Sequence, residues 1–309
     1  MTAASGPHRH RITPSALRTP HSAIRNPPPP SPLPALALSF PRMRWIIGDI
    51  HGMLRPLEAL LSAIARQDAH AQLFFTGDYV NRGPASCGVI DRLLSLRGAR
   101  FIRGNHDDIF QLILTGQCFA DNDATNDPSL AVRWFLEFGL AETLTSYGID
   151  APELREIRRD PAAGLARIRN AVPDRHKAFI QNLPPVIEQD DFFIAHAYWY
   201  PNDLTPEAPL PPRLTTNARA RRDVVWTRFA ERQITDDKTW SRTGYFGHTP
   251  TPFYHNLLLQ PFHPIRGPHV TLVDTAAATD PRGRLTAFCH ETEKFIQADR
   301  EGAIVYQGG

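Results

Sequence analysis

Gly48-Asp49-Ile50-His51-Gly52, Gly77-Asp78-Tyr79-Val80-Asn81-Arg82-Gly83 and Gly104-Asn105-His106-Asp107 are three polar loops built alike. Each follows a short apolar run, at Trp45–Ile47, Leu73–Thr76 and Arg100–Ile102. Each leads into a helical pattern: Leu54–Arg66, Pro84 to about Leu96, and onward from the third loop through about Leu114. Proline suits the first turn of a helix. Strand, loop and helix in repetition form a βαβαβ pattern, which favours parallel strands. In such sheets ligands collect beyond the carboxyl ends of the strands. The three loops are therefore expected to converge in space and form a site.

The pattern continues after an interruption. Phe192–Ala195 reads as a strand ending at His196, and Gly244–Phe246 as one ending at Gly247-His248-Thr249-Pro250. Val270–Val273 and Arg284–Phe288 read as the last strands, joined by a turn at Asp280–Gly283. Between about 117 and 185 the texture changes to a polar loop, Cys118–Pro128, and then to helical stretches at Leu130–Ser146, Pro152–Asn170 and Asp174–Asn182. This predicts a helical insert over or beside the site. Residues 201–223, rich in Pro and Arg, are expected to form a long loop.

Five strands thus end at Asp, His or Asn. Carboxylate, imidazole and amide oxygen are donors for Mn, Fe or Zn. Two divalent cations can share one carboxylate, lower the pKa of a bridging water and present hydroxide for in-line attack on phosphorus. With Asp49, Asp78 and a hydroxide counted against them, two such cations still leave a net positive site, which attracts phosphate.

These loops, with His196, GHTP (247–250) and VDTAAATDPRGRLTAF (273–288), resemble the calcineurin-like metallophosphoesterases, and within them bacterial phosphoprotein phosphatases of the PPP serine/threonine type. The resemblance covers about residues 43–300. It implies an α/β fold, a two-sheet β-sandwich flanked by helices. It implies that Asp49 and His51 bind one metal, Asp78 bridges, Asn105 and His196 bind the second, and His248 completes the set on the side of Asp49. Manganese is the first expectation, iron or zinc the alternatives. His106 would be the general acid. Arg82, Arg228 (in Val224-Val225-Trp226-Thr227-Arg228) and Asn105 would hold the phosphate, guanidinium forks being suited to its oxygens. Three positions depart from the family pattern, the mildest being the common DTGA stretch, which appears here as Asp274-Thr275-Ala276-Ala277. Asn81 stands where an Asp usually orients the acid histidine, and its amide oxygen is expected to accept the imidazole N–H. Tyr198 stands where Gly is usual, and Tyr198-Trp199-Tyr200 form an aromatic run split between core packing and substrate contact.

The 309 residues, 42% hydrophobic and 21% charged, can build a core without disulfides, and Cys87, Cys118 and Cys289 are spaced for neither a disulfide framework nor a zinc knuckle. The net charge is +2, but residues 1–42 hold five arginines, ten of the 29 prolines and no acid. The remainder, 43–309, is slightly acidic, which argues against a nucleic-acid face. The Pro-rich segment 1–42 is expected to be disordered, with translation from Met43 as a sharper hypothesis. Arg103 is expected to brace its loop, and Asp107 to cap a helix. No apolar run reaches the length of a membrane span, and Pro34–Phe40 is short for a signal sequence, so a cytoplasmic location is expected. The expected substrate is a phosphorylated protein or small phosphoester, with no nucleic acid or membrane partner. Dinucleoside polyphosphate hydrolysis is the alternative, and a non-catalytic metal-binding scaffold the weaker one.

Overall fold

A computed structural model describes residues 42–120, 126–199, 214, 217–236 and 242–308. The expected disordered tail (Arg42 apart), Tyr200 and most of the loop 201–223 lie outside the described residues.

The apolar runs pair into two sheets. In the first, β1 (Arg44–Ile47), β2 (Gln72–Phe75) and β3 (Arg100–Phe101) run parallel, and β9 (Leu285–Cys289), β10 (Phe295–Ala298) and β11 (Ile304–Gly308) extend it antiparallel from β1. In the second, β5 (Phe192–Ala195), β6 (Thr243–Phe246) and β8 (Val270–Leu272) run parallel between the antiparallel edges β4 (Val186–Glu188) and β7 (Ile265–Arg266).

Alternation along each strand sends successive side chains to opposite faces. Ile46, Phe74, Phe192, Ile194, Tyr245 and Phe288 meet between the sheets. Trp45, Ile47 and Phe75 face away, toward α1 (Leu54–Gln67), α2 (Ser86–Leu94) and α3 (Asn105–Thr115). Phe193, Ala195 and Phe246 face outward from the second sheet, under Val224 and Val225 of α9 (Ala218–Trp226). The result is the expected sandwich, with helices on both outer faces.

The insert is broken more finely than its sequence suggests. Its helices are α4 (Pro128–Phe135), α5 (Leu140–Ser146), α6 (Ala151–Arg159), α7 (Pro161–Ala171) and α8 (Asp174–Gln181), with a 3-10 turn at Leu136–Phe138. The first break is Gly139, at φ 87°, whose carbonyl accepts the Arg82 N–H at 3.0 Å. A β-carbon at 139 would lie 2.2 Å from the Arg82 nitrogen, so the close approach needs glycine. The second break is Asp160-Pro161: proline disfavours helix in the residue before it, and Asp160 instead caps α7 through the Ala163 N–H at 3.0 Å.

Three expectations need correction. The expected loop 201–223 contains the start of α9, which opens on Asn217, whose side chain accepts the Ala220 N–H at 3.0 Å. The strands β4, β7, β10 and β11 escaped the sequence reading; all are two to five residues long, and each pairs antiparallel with a strand next to it in the chain. Arg44, to which the sequence reading gave no role, bridges Asp191 and Glu291 at 2.6 and 2.5 Å, beside one strand of each sheet.

Candidate active site

The loops after β1, β2, β3, β5 and β6 meet at the carboxyl ends of those strands. Asp78 is the hub: its Oδ2 lies 3.3 Å from His51 Nε2 and 3.4 Å from His196 Nε2, and its Oδ1 accepts the His106 N–H at 2.9 Å. Asn105 Oδ1 lies 3.0 Å from His196 Nε2 and 3.0 Å from His248 Nδ1. Asp49 accepts the Thr76 hydroxyl at 3.0 Å and the His248 N–H at 2.8 Å. His248 was expected on the side of Asp49. Only its backbone amide is there; the imidazole turns to Asn105 and His196.

The backbone is bent to achieve this. Eight described non-glycine residues have positive φ, and five belong to the site: His51, Asp78, Asn81, Arg82 and His248. Such conformations cost of order 1 kcal/mol each and persist where surrounding contacts enforce them. Asp107 supplies part of that enforcement. Besides taking the Gly104 N–H at the start of α3, its carboxylate takes the N–H groups of Asp78 at 2.8 Å and Tyr79 at 3.0 Å. Gly104 is required by proximity, since a β-carbon there would lie 2.1 Å from Asp78 Oδ1.

Three histidines share one arrangement. His51 Nδ1 donates to the Val80 carbonyl at 2.9 Å, His196 Nδ1 to Thr76 at 2.7 Å and His248 Nε2 to Trp226 at 2.9 Å. The opposite nitrogen of each thereby faces another donor of the set, Asp78 for His51 and His196 and Asn105 for His248, the orientation that metal-ligating histidines take. Burial, then the Arg82 guanidinium, lowers the His51 pKa to about 3; burial and His196 lower that of His248 to about 3. Burial also works against charge on His196, but Asp78 and Asp49 outweigh it and lift its pKa to about 10. Burial, then Asp274, pushes the Asp49 carboxyl well above its ordinary value. Asp274 is itself raised to about 6 by burial, and its Oδ2 has no hydrogen-bond partner among the described residues. Buried acids crowded in this way, which draw His196 to imidazolium while His51 and His248 stay neutral, are a donor set short of positive charge. Within it, Asp49, Asp78 and His196 form one group with ligand atoms inside 4.8 Å of one another, and His51, Asp78 and His106 another.

The profile of the family described as calcineurin-like phosphoesterase matches residues 44–211. The chain belongs to the calcineurin-like phosphoesterase family. A relative, the symmetrical bis(5'-nucleosyl)-tetraphosphatase of Coxiella burnetii (strain RSA 493 / Nine Mile phase I), is 44% identical over 77 residues, covering 25% of this chain and 26% of that protein. The protein of the same name from Cellvibrio japonicus (strain Ueda107) is 28% identical over 169 residues, covering 50% of this chain and 57% of that protein. The chain thus spans little more than half the length of these relatives at most. A solved metallophosphoesterase from Sphaerobacter thermophilus is 16% identical over 86% of this chain and 88% of that one, with a TM-score of 0.45. Calcineurin-like phosphoesterases bind a dimetal centre, and the residues here fit one. Asp78 is shared by both donor groups, and Asp49, His51, Asn105, His196 and His248 surround it.

The phosphoesterase cavity holds about 330 Å³. Asp78, Asn105 and His248 line it together with Arg82, His106 and Arg228. Asn81 turns its amide nitrogen to His106 Nδ1 at 2.9 Å, while its oxygen takes the Thr143 hydroxyl at 3.1 Å. The expected amide orientation is thus reversed, because Thr143, from the insert, claims the oxygen. Arg82 donates to His51 Nε2 at 2.9 Å and reaches within 3.2 Å of His106 Nε2. Arg103 does brace its loop, and its guanidinium points away from the cavity to Asp108 and the carbonyls of Gln181 and Leu183.

Of the aromatic run after His196, the described residues Tyr198 and Trp199 do not line the cavity. Tyr198 packs on Phe229 with ring centroids 4.8 Å apart and takes the Gln233 amide, and Trp199 is buried in the outer core. The cavity's aromatic wall is built instead by Trp134, Phe135, Phe138 and Trp226. Sequence reasoning missed these, and it missed Gly139 and Thr143. The one available signal was Trp134 and Phe138 on the polar side of an amphipathic stretch.

Proposed function

We propose that this chain hydrolyses phosphomonoesters, with a phosphorylated protein as substrate, through a dimetal site made by Asp49, His51, Asp78, Asn105, His196 and His248. The observation that carries this reading is that Arg82, Arg228 and His106 line one cavity with Asp78, Asn105 and His248 of the donor set. Two divalent cations held there would supply positive charge against the phosphate and a water made acidic near neutral pH. The chain's own residues do the rest. Arg82 and Arg228 bind and orient the phosphate oxygens. His106 holds a proton for the leaving oxygen. A neutral imidazole that accepts the Asn81 amide at Nδ1 carries its proton at Nε2, the atom beside Arg82. That ring has one lone pair, so the Asn81 and Arg82 contacts cannot both be donations. Arg82 drawn onto a phosphate removes the conflict; to act as the acid the ring takes a second proton at Nδ1, with the Asn81 amide turned to offer its oxygen there, and as imidazolium it gives the Nε2 proton to the leaving oxygen.

The test is turnover of p-nitrophenyl phosphate and of phosphopeptides with added Mn²⁺. Activity is expected to vanish on chelation and return with metal. Two bound metals per chain and no turnover of any phosphoester would favour a scaffold instead. Hydrolysis of dinucleoside polyphosphates is the second reading, supported by the names of the curated relatives. Diadenosine tetraphosphate assayed beside a phosphopeptide separates the two.

Asn81→Asp tests His106. Burial holds the His106 pKa well below its ordinary value, and only Asp78 opposes this. A carboxylate at 81 favours imidazolium, so the acid form persists to higher pH. The alkaline limb of the pH–rate profile is expected to move up by about one to three pH units. An unmoved limb removes His106 from the role of acid.

A further inference from the structure

We propose that the cavity selects phosphoesters carrying a flat aromatic ring close to the phosphate, and that Trp134 and Phe138 of the insert hold that ring. The proposal rests on the hydrolase reading for its chemistry and adds the identity of the leaving group.

Trp134 is 49% exposed and Phe138 is 52% exposed, among the largest apolar side chains left to solvent. They lie four residues apart across the junction of α4 and the 3-10 turn, and both line the cavity that holds Arg82, Arg228 and His106. Contiguous exposed aromatics that continue into a polar site mark a binding surface rather than ordinary surface scatter. Phe135 joins them to the chemistry. Its buried ring meets His106 edge-on, with centroids 5.0 Å apart, and lies 5.7 Å from Phe138. An aromatic surface therefore begins at the proposed acid and runs outward to solvent on the leaving-group side.

The cavity's size agrees. About 330 Å³ is at the small end for ligand sites, room for a phosphate and one ring system. Rings stack on tryptophan and phenylalanine through their π faces whatever their substituents. A phosphotyrosine side chain and a nucleobase both supply such a face; phosphoserine and phosphothreonine do not. The insert thus acts as a specificity element as well as a support for Arg82.

The experiment compares kcat/KM for a phosphotyrosine peptide, the phosphothreonine peptide of the same sequence and diadenosine tetraphosphate. Wild type is set beside Trp134→Ala, Phe138→Ala and the conservative Trp134→Phe. Binding of phenylphosphonate and methylphosphonate to metal-loaded protein is measured in parallel. Wild type should prefer ring-bearing substrates, and the tyrosine-to-threonine ratio should fall about tenfold in Trp134→Ala, mainly through KM, and recover in Trp134→Phe. Phenylphosphonate should bind more tightly than methylphosphonate. Equal affinity for the two phosphonates, or alanine variants that lower all substrates alike, overturns the proposal. Tight phenylphosphonate binding without turnover of any substrate overturns the hydrolase reading and leaves the ring site standing. Activity on diadenosine tetraphosphate but not on phosphotyrosine assigns the ring to a nucleobase, and the reverse to tyrosine.

Discussion

Asp78→Asn is expected to abolish metal retention and lower kcat/KM on p-nitrophenyl phosphate by on the order of 10³ or more. Asp78 belongs to both donor groups, and its Oδ2 stands between His51 and His196. The amide keeps one oxygen, enough to hold the His106 N–H now bound at 2.9 Å, so the loop need not collapse. What it loses is the charge shared between two cations. The carboxylate is held well below its ordinary pKa because, although burial opposes ionisation, His196, His106 and His51 outweigh it. It is therefore a full negative charge at any working pH, and its neutral isostere removes that charge from both metal positions at once. Metal content after gel filtration, with turnover on the same sample, checks this. Two metals retained with less than a tenfold loss of activity would remove Asp78 from the bridging role.

Arg103→Ala is expected to destabilise the fold by about 3–5 kcal/mol, the usual consequence of stripping one partner from a buried ion pair. Arg103 is 4% exposed and Asp108 fully buried. The guanidinium donates to Asp108 at 2.7 Å, to Gln111, and to the carbonyls of Gln181 and Leu183 at the end of α8, each at 3.2 Å. Asp108 in turn holds the N–H groups of Phe119 at 2.8 Å and Ala120 at 3.0 Å. Removing the arginine leaves a carboxylate and several carbonyls buried with fewer donors. At roughly 2–4 °C per kcal/mol for a domain of this size, the melting temperature should fall by roughly 6–20 °C. Adding Asp108→Asn should restore part of the loss, because the orphaned charge goes with it. A single-variant loss under 1 kcal/mol would show that the pair contributes little. Arg103 is two residues from Asn105, so the weakened fold should also bind metal less tightly.

Much of the candidate site was legible along the chain, and the reason is local. A parallel strand that ends in a loop must leave its next side chains at the sheet's carboxyl edge. Asp49, Asp78, Asn105, His196 and His248 each follow such a strand, so order and spacing alone bring them to one edge. The βαβαβ start and the helical insert follow from the same periodicities, whereas the two-sheet sandwich was implied by the resemblance to calcineurin-like phosphoesterases. Short antiparallel edges such as β4 and β7 carry too few residues for a period to show.

The sequence by itself determined which groups reach the site: the donor set, His106 and the two arginines. Only the tertiary structure decided how they face. The Asn81 amide is reversed by Thr143, 62 positions away, and the His248 imidazole is drawn to Asn105 across 143 positions. The aromatic wall comes from Trp134 and Phe138 rather than from Tyr198 and Trp199. An apolar side chain goes wherever neighbouring elements leave room, and that room is set by helix packing, which no local pattern encodes. Hydrogen-bond direction and aromatic placement are long-range properties, whereas a ligand at the end of a strand is a short-range one.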